Sequence, residues 1–251
     1  TEGFRYEVYE SHDGGVTQYK LRQTHGISES TSERWYGSFC QQRLAEMSNR
    51  PCPKVLGIDE HFFTRKRGFA TTLVDLRRHK VFDVRLGRSQ ASLDSYLRRL
   101  PGKDNVKLVV MDLSETYRNI ARQYFPGAAI VADRFHVIRL VNQHFLNAWK
   151  DVHPEGRRNR GLLSLMRRHA WHLKPEQRAN LLRYLADYPG LAALYEAKQR
   201  LNELLLLKNL RKKTAQKKLP ELLELIEQLR HSPLRRLAKT LTSWLEPIVM
   251  M

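Results

Sequence analysis

The sequence predicts an α/β fold: a mixed sheet of three antiparallel strands followed by parallel strands, preceded by a helical hairpin and followed by an all-helical region. Three observations carry this prediction. Between residues 55 and 86, three runs rich in strand formers are separated by short polar bends, the signature of an antiparallel meander. Residues 107–132 then supply two short apolar runs, each followed by a helical pattern, as strands buried on both faces require. After about Asp151, Leu-rich positions recur at helical spacing and are punctuated by prolines.

Composition narrows the partners. With 44 Lys and Arg against 26 Asp and Glu, the formal charge of +18 is far beyond what solubility requires and suits a polyanion, with nucleic acid first. Residues 1–50 hold 6 basic and 7 acidic side chains, a net of −1, so the excess lies wholly in the rest of the chain. No apolar run approaches the ~20 residues needed to span a bilayer, and no basic segment followed by an apolar stretch opens the chain. The reading is a soluble, unsecreted protein of the cytoplasm, associated with the nucleoid. Cys40 and Cys52 form no C-x-x-C pair, which argues against a disulfide framework and a zinc site.

The elements follow in order. Thr17 to His25 reads as a short helix, Gly26 as a left-handed turn residue, and Ser28 onward as a second helix to about Glu46. Ser28 is its N-cap, Ile27 a buried staple, and Trp35 and Phe39 its apolar face. The unit resembles a helix-turn-helix. In its second helix Glu29, Ser30, Glu33 and Arg34 face outward, which makes Ser30 and Arg34 candidates for DNA contact.

Pro51-Cys-Pro53 breaks that helix. Val55 to Phe63 then reads as a strand, with Leu56, Ile58 and Phe62 on one face and Val55, Asp59, His61 and Phe63 on the other. Gly68 to Arg77 and Lys80 to Leu86 complete the meander. An amphipathic helix capped by Ser89 runs to Leu100 with Leu93, Tyr96 and Leu97 inward. Lys107 to Leu113 is a buried strand with Asp112 near its end, and Ser114 caps the helix after it. Ala128 to Ala132 is the last strand, and a long helix starts near Phe135. The order β-β-β-α-β-α-β-α is that of an RNase H-like arrangement. Helices are expected in Leu162–Trp171, Ala179–Tyr188, Leu191–Leu207 and Leu222–Leu229, with Pro220 and Pro233 among the breaks. The chain thus divides into 1–50, a helix-turn-helix region; 51–150, the first part of an RNase H-like core; and 151–251, an all-helical insertion.

Two aspartates stand out. Asp59 lies inside the first strand and Asp112 at the carboxyl end of the fourth, strands that neighbour each other in an RNase H-like sheet. Aspartate in an apolar strand is unfavourable unless something compensates it. A hard divalent ion shared by two carboxylates is such a compensation, and a metal pair suits phosphodiester chemistry. Glu60 is expected to point away from Asp59 and to hold no metal. Asp133 reads as the cap of the helix that carries His136. The basic run Lys208, Arg211, Lys212, Lys213, Lys217 and Lys218 is a candidate for phosphate contact.

Five segments carry a family resemblance: Val55-Leu-Gly-Ile-Asp59-Glu-His61, Arg88-Ser-Gln-Ala-Ser-Leu93, Val109-Val-Met-Asp112-Leu, Ala132-Asp-Arg-Phe-His-Val137 and Gly161-Leu-Leu-Ser-Leu-Met-Arg-Arg168. Together they resemble the transposases of the insertion-sequence family written IS-L-three. The resemblance implies an enzyme that cuts and joins DNA at element ends, using Mg²⁺ or Mn²⁺ held by two aspartates and a glutamate. It places Asp59 and Asp112 as the catalytic, metal-holding aspartates, and it implies DNA (terminal inverted repeats and target) and a homodimer on that DNA. The third carboxylate of this family sits in a Glu-Gly motif after the helical insertion. Residues 151–251 match that insertion and no such motif follows it, so the third acidic residue is expected beyond Met251, and Glu203, Glu221, Glu224, Glu227 and Glu246 read as solvated helix faces. A Cys-rich element common upstream in the family is likewise absent from residues 1–50. Two other readings remain open: a non-catalytic DNA-binding remnant or regulator, and an RNase H-like nuclease or resolvase acting on branched nucleic acid.

Overall fold

Local signals account for the first helices. Thr17 accepts a hydrogen bond from the Lys20 amide and starts α2 (Gln18–His25), which Gly26 ends at φ 67°. That left-handed conformation is nearly free for glycine and costly for a side chain that carries Cβ. Ser28 Oγ accepts from the Thr31 amide at 3.2 Å and caps α3 (Glu29–Ser48). An additional helix, α1 (Glu2–Asp13), precedes them, and the sequence reading had placed nothing there. Its apolar signal is narrow, with only Val8 and Tyr9 buried, and it is held by ring contacts to α3: Tyr9 on Tyr36 at 5.5 Å and on Phe39 at 5.1 Å. The computed structural model describes residues 1–207 and 212–251, with only the backbone of Met47 and Ser48. These residues form two compact units, Thr1–Cys52 with Leu100–Gly102, and Pro53–Arg99 with Lys103–Met251.

The second unit is built on a five-stranded sheet in the order β3-β2-β1-β4-β5. β1 (Val55–Thr64), β2 (Gly68–Asp75) and β3 (Lys80–Leu86) are antiparallel neighbours. β4 (Leu108–Met111) runs parallel to β1, and β5 (Ala129–Ala132) parallel to β4. This mixed order is consistent with the RNase H-like arrangement that the element order predicted. Leu56, Val109 and Val137 are fully buried, and each such side chain contributes roughly 1.5–3 kcal/mol of transfer free energy. At the far end of β1 the alternation stops mattering, because Phe62 and Phe63 are both exposed. β4 is also shorter than its apolar run, so Asp112 lies one residue past its end.

Helices α4 (Gln90–Arg99) and α5 (Glu115–Tyr124) pack on this sheet, with Ser89 and Ser114 as side-chain caps. After β5 the chain is helical: α6 (Arg134–Val152), α7 (Pro154–Arg158), α8 (Arg160–Arg167), α9 (Pro175–Ala186), α10 (Pro189–Leu206), α11 (Lys212–Gln228), α12 (Ser232–Ser243) and α13 (Leu245–Val249). Residues 170–172 form a separate 3-10 turn rather than continuing α8. Arg118 ties the sheet side to the helices, with its guanidinium 4.3 Å from the Trp244 ring centre and donating to the Ser243 carbonyl at 2.8 Å.

Pro220 departs from expectation, since it sits inside α11 instead of ending it. Burial of Ala215, Leu219, Leu223 and Ile226 along one face holds the helix through a residue that lacks an amide donor. Pro220→Ala should therefore raise stability, by up to about 3 kcal/mol if the helix geometry is otherwise unchanged. A urea midpoint that stays the same or falls would mean the surrounding packing is adapted to the proline.

Candidate active site

The register of two parallel strands sets the site. Ile58 pairs with Met111, the last residue of β4, so Asp59, midway along β1, stands beside Asp112, the residue just past the end of β4. The two carboxylates differ in environment. Asp59 has a side chain 59% exposed, and its Oδ1 accepts the Glu60 amide at 2.8 Å. Asp112 is half-buried, and its Oδ1 is buried without a hydrogen-bond partner among the described residues. A buried, unmatched oxygen of this kind costs free energy unless another group meets it. Burial is accordingly the main cause that pushes the Asp112 carboxyl above the usual carboxylate range. His136 opposes that shift, Glu60 and Asp59 add to it, and a hydrogen bond from the Ser114 backbone lowers it.

Glu60 thus lies closer to the electrostatics of the site than strand alternation implied. It forms an ion pair with Arg88 at 3.1 Å, and Arg88 in turn lies 3.9 Å from the Phe69 ring centre. Tyr117 on α5 also registers all three acids. Burial raises its hydroxyl to about 12, the hydrogen bond with Thr71 works against this, and Glu60, Asp112 and Asp59 add to it. The Tyr117 hydroxyl and Thr71 Oγ1 are 2.9 Å apart.

His136, which with Glu60, His61 and Asp133 is a secondary candidate in the sequence, is drawn to the pair of aspartates. Asp133 caps α6 by accepting from the Phe135 and His136 amides, as read from the sequence, and this cap fixes the first turn of the helix. His136 Nε2 comes within 3.8 Å of Asp59 Oδ1. The signal was present in the spacing, because a cap fixes which face the residue three positions later presents. His136, Arg139, Leu140 and Gln143 recur at helical spacing along one face of α6 and, with Asp112, Leu113 and Thr240 of α12, line an open cleft of about 230 Å³. His61, by contrast, is engaged with Thr72, Nδ1 to Oγ1 at 3.1 Å.

The other candidates are placed as follows. Ser30 and Arg34 are exposed on α3, in the first unit, and Trp35 is half-buried with its ring 6.1 Å from Phe4. Lys212, Lys213, Lys217 and Lys218 are exposed on α11, whereas Lys208 and Arg211 lie outside the described residues. Glu203, Glu221, Glu224, Glu227 and Glu246 are all exposed. Among the described residues no group of three or more His, Cys, Asp or Glu is arranged to hold a metal ion.

The family model described as "Transposase", that of the IS-L-three type, matches residues 56–251. The chain belongs to this transposase family. The match starts within β1 and covers both aspartates, the α6 face and the whole helical region. No curated protein matches the chain at a significant level. Among the described residues, no helix is long and apolar enough to cross a membrane. A transposase acts on DNA, and the charge of +18 suits that substrate.

Proposed function

We propose that this transposase cleaves insertion-sequence ends and joins them to target DNA by metal-dependent chemistry of the DDE type, with Asp59 and Asp112 as the metal-holding pair. The observation that carries this reading is the unmatched, buried Oδ1 of Asp112 beside the Asp59 carboxylate at the mouth of an open cleft. Two carboxylates suit Mg²⁺ or Mn²⁺, because Mg²⁺ usually takes one or two protein carboxylates and fills its other positions with water and substrate phosphate. When bound, such ions supply Lewis-acid stabilisation of phosphate charge and lower the pKa of a bound oxygen nucleophile. Asp59 and Asp112 bind; Arg88 holds Glu60; the Asp133 cap orients His136 toward Asp59; and exposed Arg139 and Gln143 on the cleft wall are placed to orient a phosphodiester backbone.

Recognition of the element end is assigned to the α2–turn–α3 unit acting as a helix-turn-helix, with Arg34 and Ser30 outward, and the protein is expected to act as a homodimer on paired ends. The exposed lysines of α11 supply phosphate contacts. Each lost contact should flatten the log-log salt dependence of binding by about 0.9, so Ala at Lys212, Lys213 and Lys217 together should reduce the slope by up to about 2.7. An unchanged slope would return that face to solvent.

A second reading is favoured by the lack of a three-ligand cluster among the described residues: a DNA-binding member of the family without catalysis. A cleavage assay decides between the two. Duplexes ending in the element's terminal repeats should be cut in Mg²⁺ or Mn²⁺ and left whole in chelator. Binding without cleavage in either metal would favour the second reading. Preferential cutting of Holliday junctions would instead mark a resolvase.

A further inference from the structure

The segment from Gly156 to Pro175 holds six Lys and Arg, two His and no Asp or Glu. Arg160, Arg167, Arg168 and Lys174 in it are exposed, and no carboxylate among the described residues lies within ion-pair distance of any of them. At its centre, in the 3-10 turn after α8, Trp171 is 48% exposed. The other tryptophan rings of this unit, Trp149 and Trp244, are buried. A large exposed aromatic ring inside an acid-free basic segment is the composition of a surface that grips phosphates and stacks on bases.

The turn is also braced from below. Trp171 lies parallel to the His169 ring, with centroids 4.6 Å apart and planes 4° apart. Two buried polar residues of α10 hold the backbone on either side. Lys198 Nζ donates to the Met166 carbonyl and, at 3.5 Å, to the Arg168 carbonyl. Gln199 donates to the Arg168 carbonyl at 3.2 Å and accepts from the Ala170 amide at 3.0 Å. A buried ammonium is a costly way to tie down an exposed turn, and it leaves the Trp171 ring with little freedom to lose on binding.

We infer that Trp171, backed by His169 and set in the basic segment that carries exposed Arg160 and Arg167, is a stacking platform for an unpaired base of DNA. Intact duplex offers no free base face, so the platform serves single-stranded or locally opened DNA. The inference rests on the proposed DNA substrate but not on catalysis, since Trp171 is not among the residues that line the cleft at Asp112.

Fluorescence anisotropy on the whole chain in chelator tests it, with a labelled single strand and the blunt duplex of the same sequence. Trp171→Ala should weaken single-strand binding roughly 5- to 150-fold, leave duplex binding within about threefold, and leave the salt slope unchanged. Trp171→Phe should recover most of the loss. The double change Arg160→Ala with Arg167→Ala should instead lower the salt slope on the single strand by up to about 0.7 per residue. Circular dichroism and melting of each variant confirm the fold. Unaltered single-strand binding in Trp171→Ala, an equal loss on both substrates, or failure of Trp171→Phe to recover would each overturn the platform. Because the readout is binding without metal, a chain that never cleaves can still pass this test, and one that cleaves can still fail it.

Discussion

Asp112→Asn in the complete enzyme should abolish cleavage of element ends while DNA binding stays within about threefold, a change below 1 kcal/mol. Asp59→Asn should do the same. The physical reason is a division of labour: the carboxylates of Asp59, within β1, and Asp112, just past β4, serve a cation, while the basic side chains serve phosphate. Asparagine keeps the shape and one oxygen but forfeits the charge a hard cation needs. The fold should tolerate the change at Asp112, because burial already disfavours the charged carboxyl there. Gel-shift and cleavage assays on the same preparations separate the two effects. Cleavage retained by either variant would remove that residue from the site, and loss of binding in step with cleavage would show that the carboxylate positions DNA instead.

The stability of the protein should depend on pH through Lys198, by on the order of 3 kcal/mol. Burial pushes its ammonium down to about 8 from an ordinary value of 10.5. Between these limits the unfolded chain holds a proton that the folded chain has released, so stability rises with pH across this window. Below about pH 8 the cost of the buried charge is fully present. Lys198→Met removes the titration together with the hydrogen bonds to Met166 and Arg168. Urea unfolding from pH 7 to 10.5 should show the wild-type chain gaining steadily on this variant. A difference that stays flat with pH would place the Lys198 ammonium in contact with solvent.

The sequence by itself determined the strand order and the helices between the strands, because the period-2 runs of β1 to β3 and the short buried runs of β4 and β5 are local patterns, while the Leu spacing after Asp151 marked a helical region but not α7, α12 or α13 within it. It also marked Asp59 and Asp112, since a carboxylate within or ending an apolar strand is conspicuous, and it placed the caps Ser28, Ser89, Ser114 and Asp133, where a single side chain meets its own helix. Only tertiary structure decided the rest. The approach of His136 to Asp59 depends on how α6 leaves β5, and the influence of Glu60 on Asp112 spans two strands. Pro220 lies within α11 because long-range burial outweighs a local breaker. Trp171, read as part of an apolar helix, is turned to the surface because α8 ends at Arg167 and α10 reaches up through Lys198 and Gln199 to fix the turn. Periodicity reports on neighbours along the chain, whereas a side chain's final partner is set by elements far away in sequence.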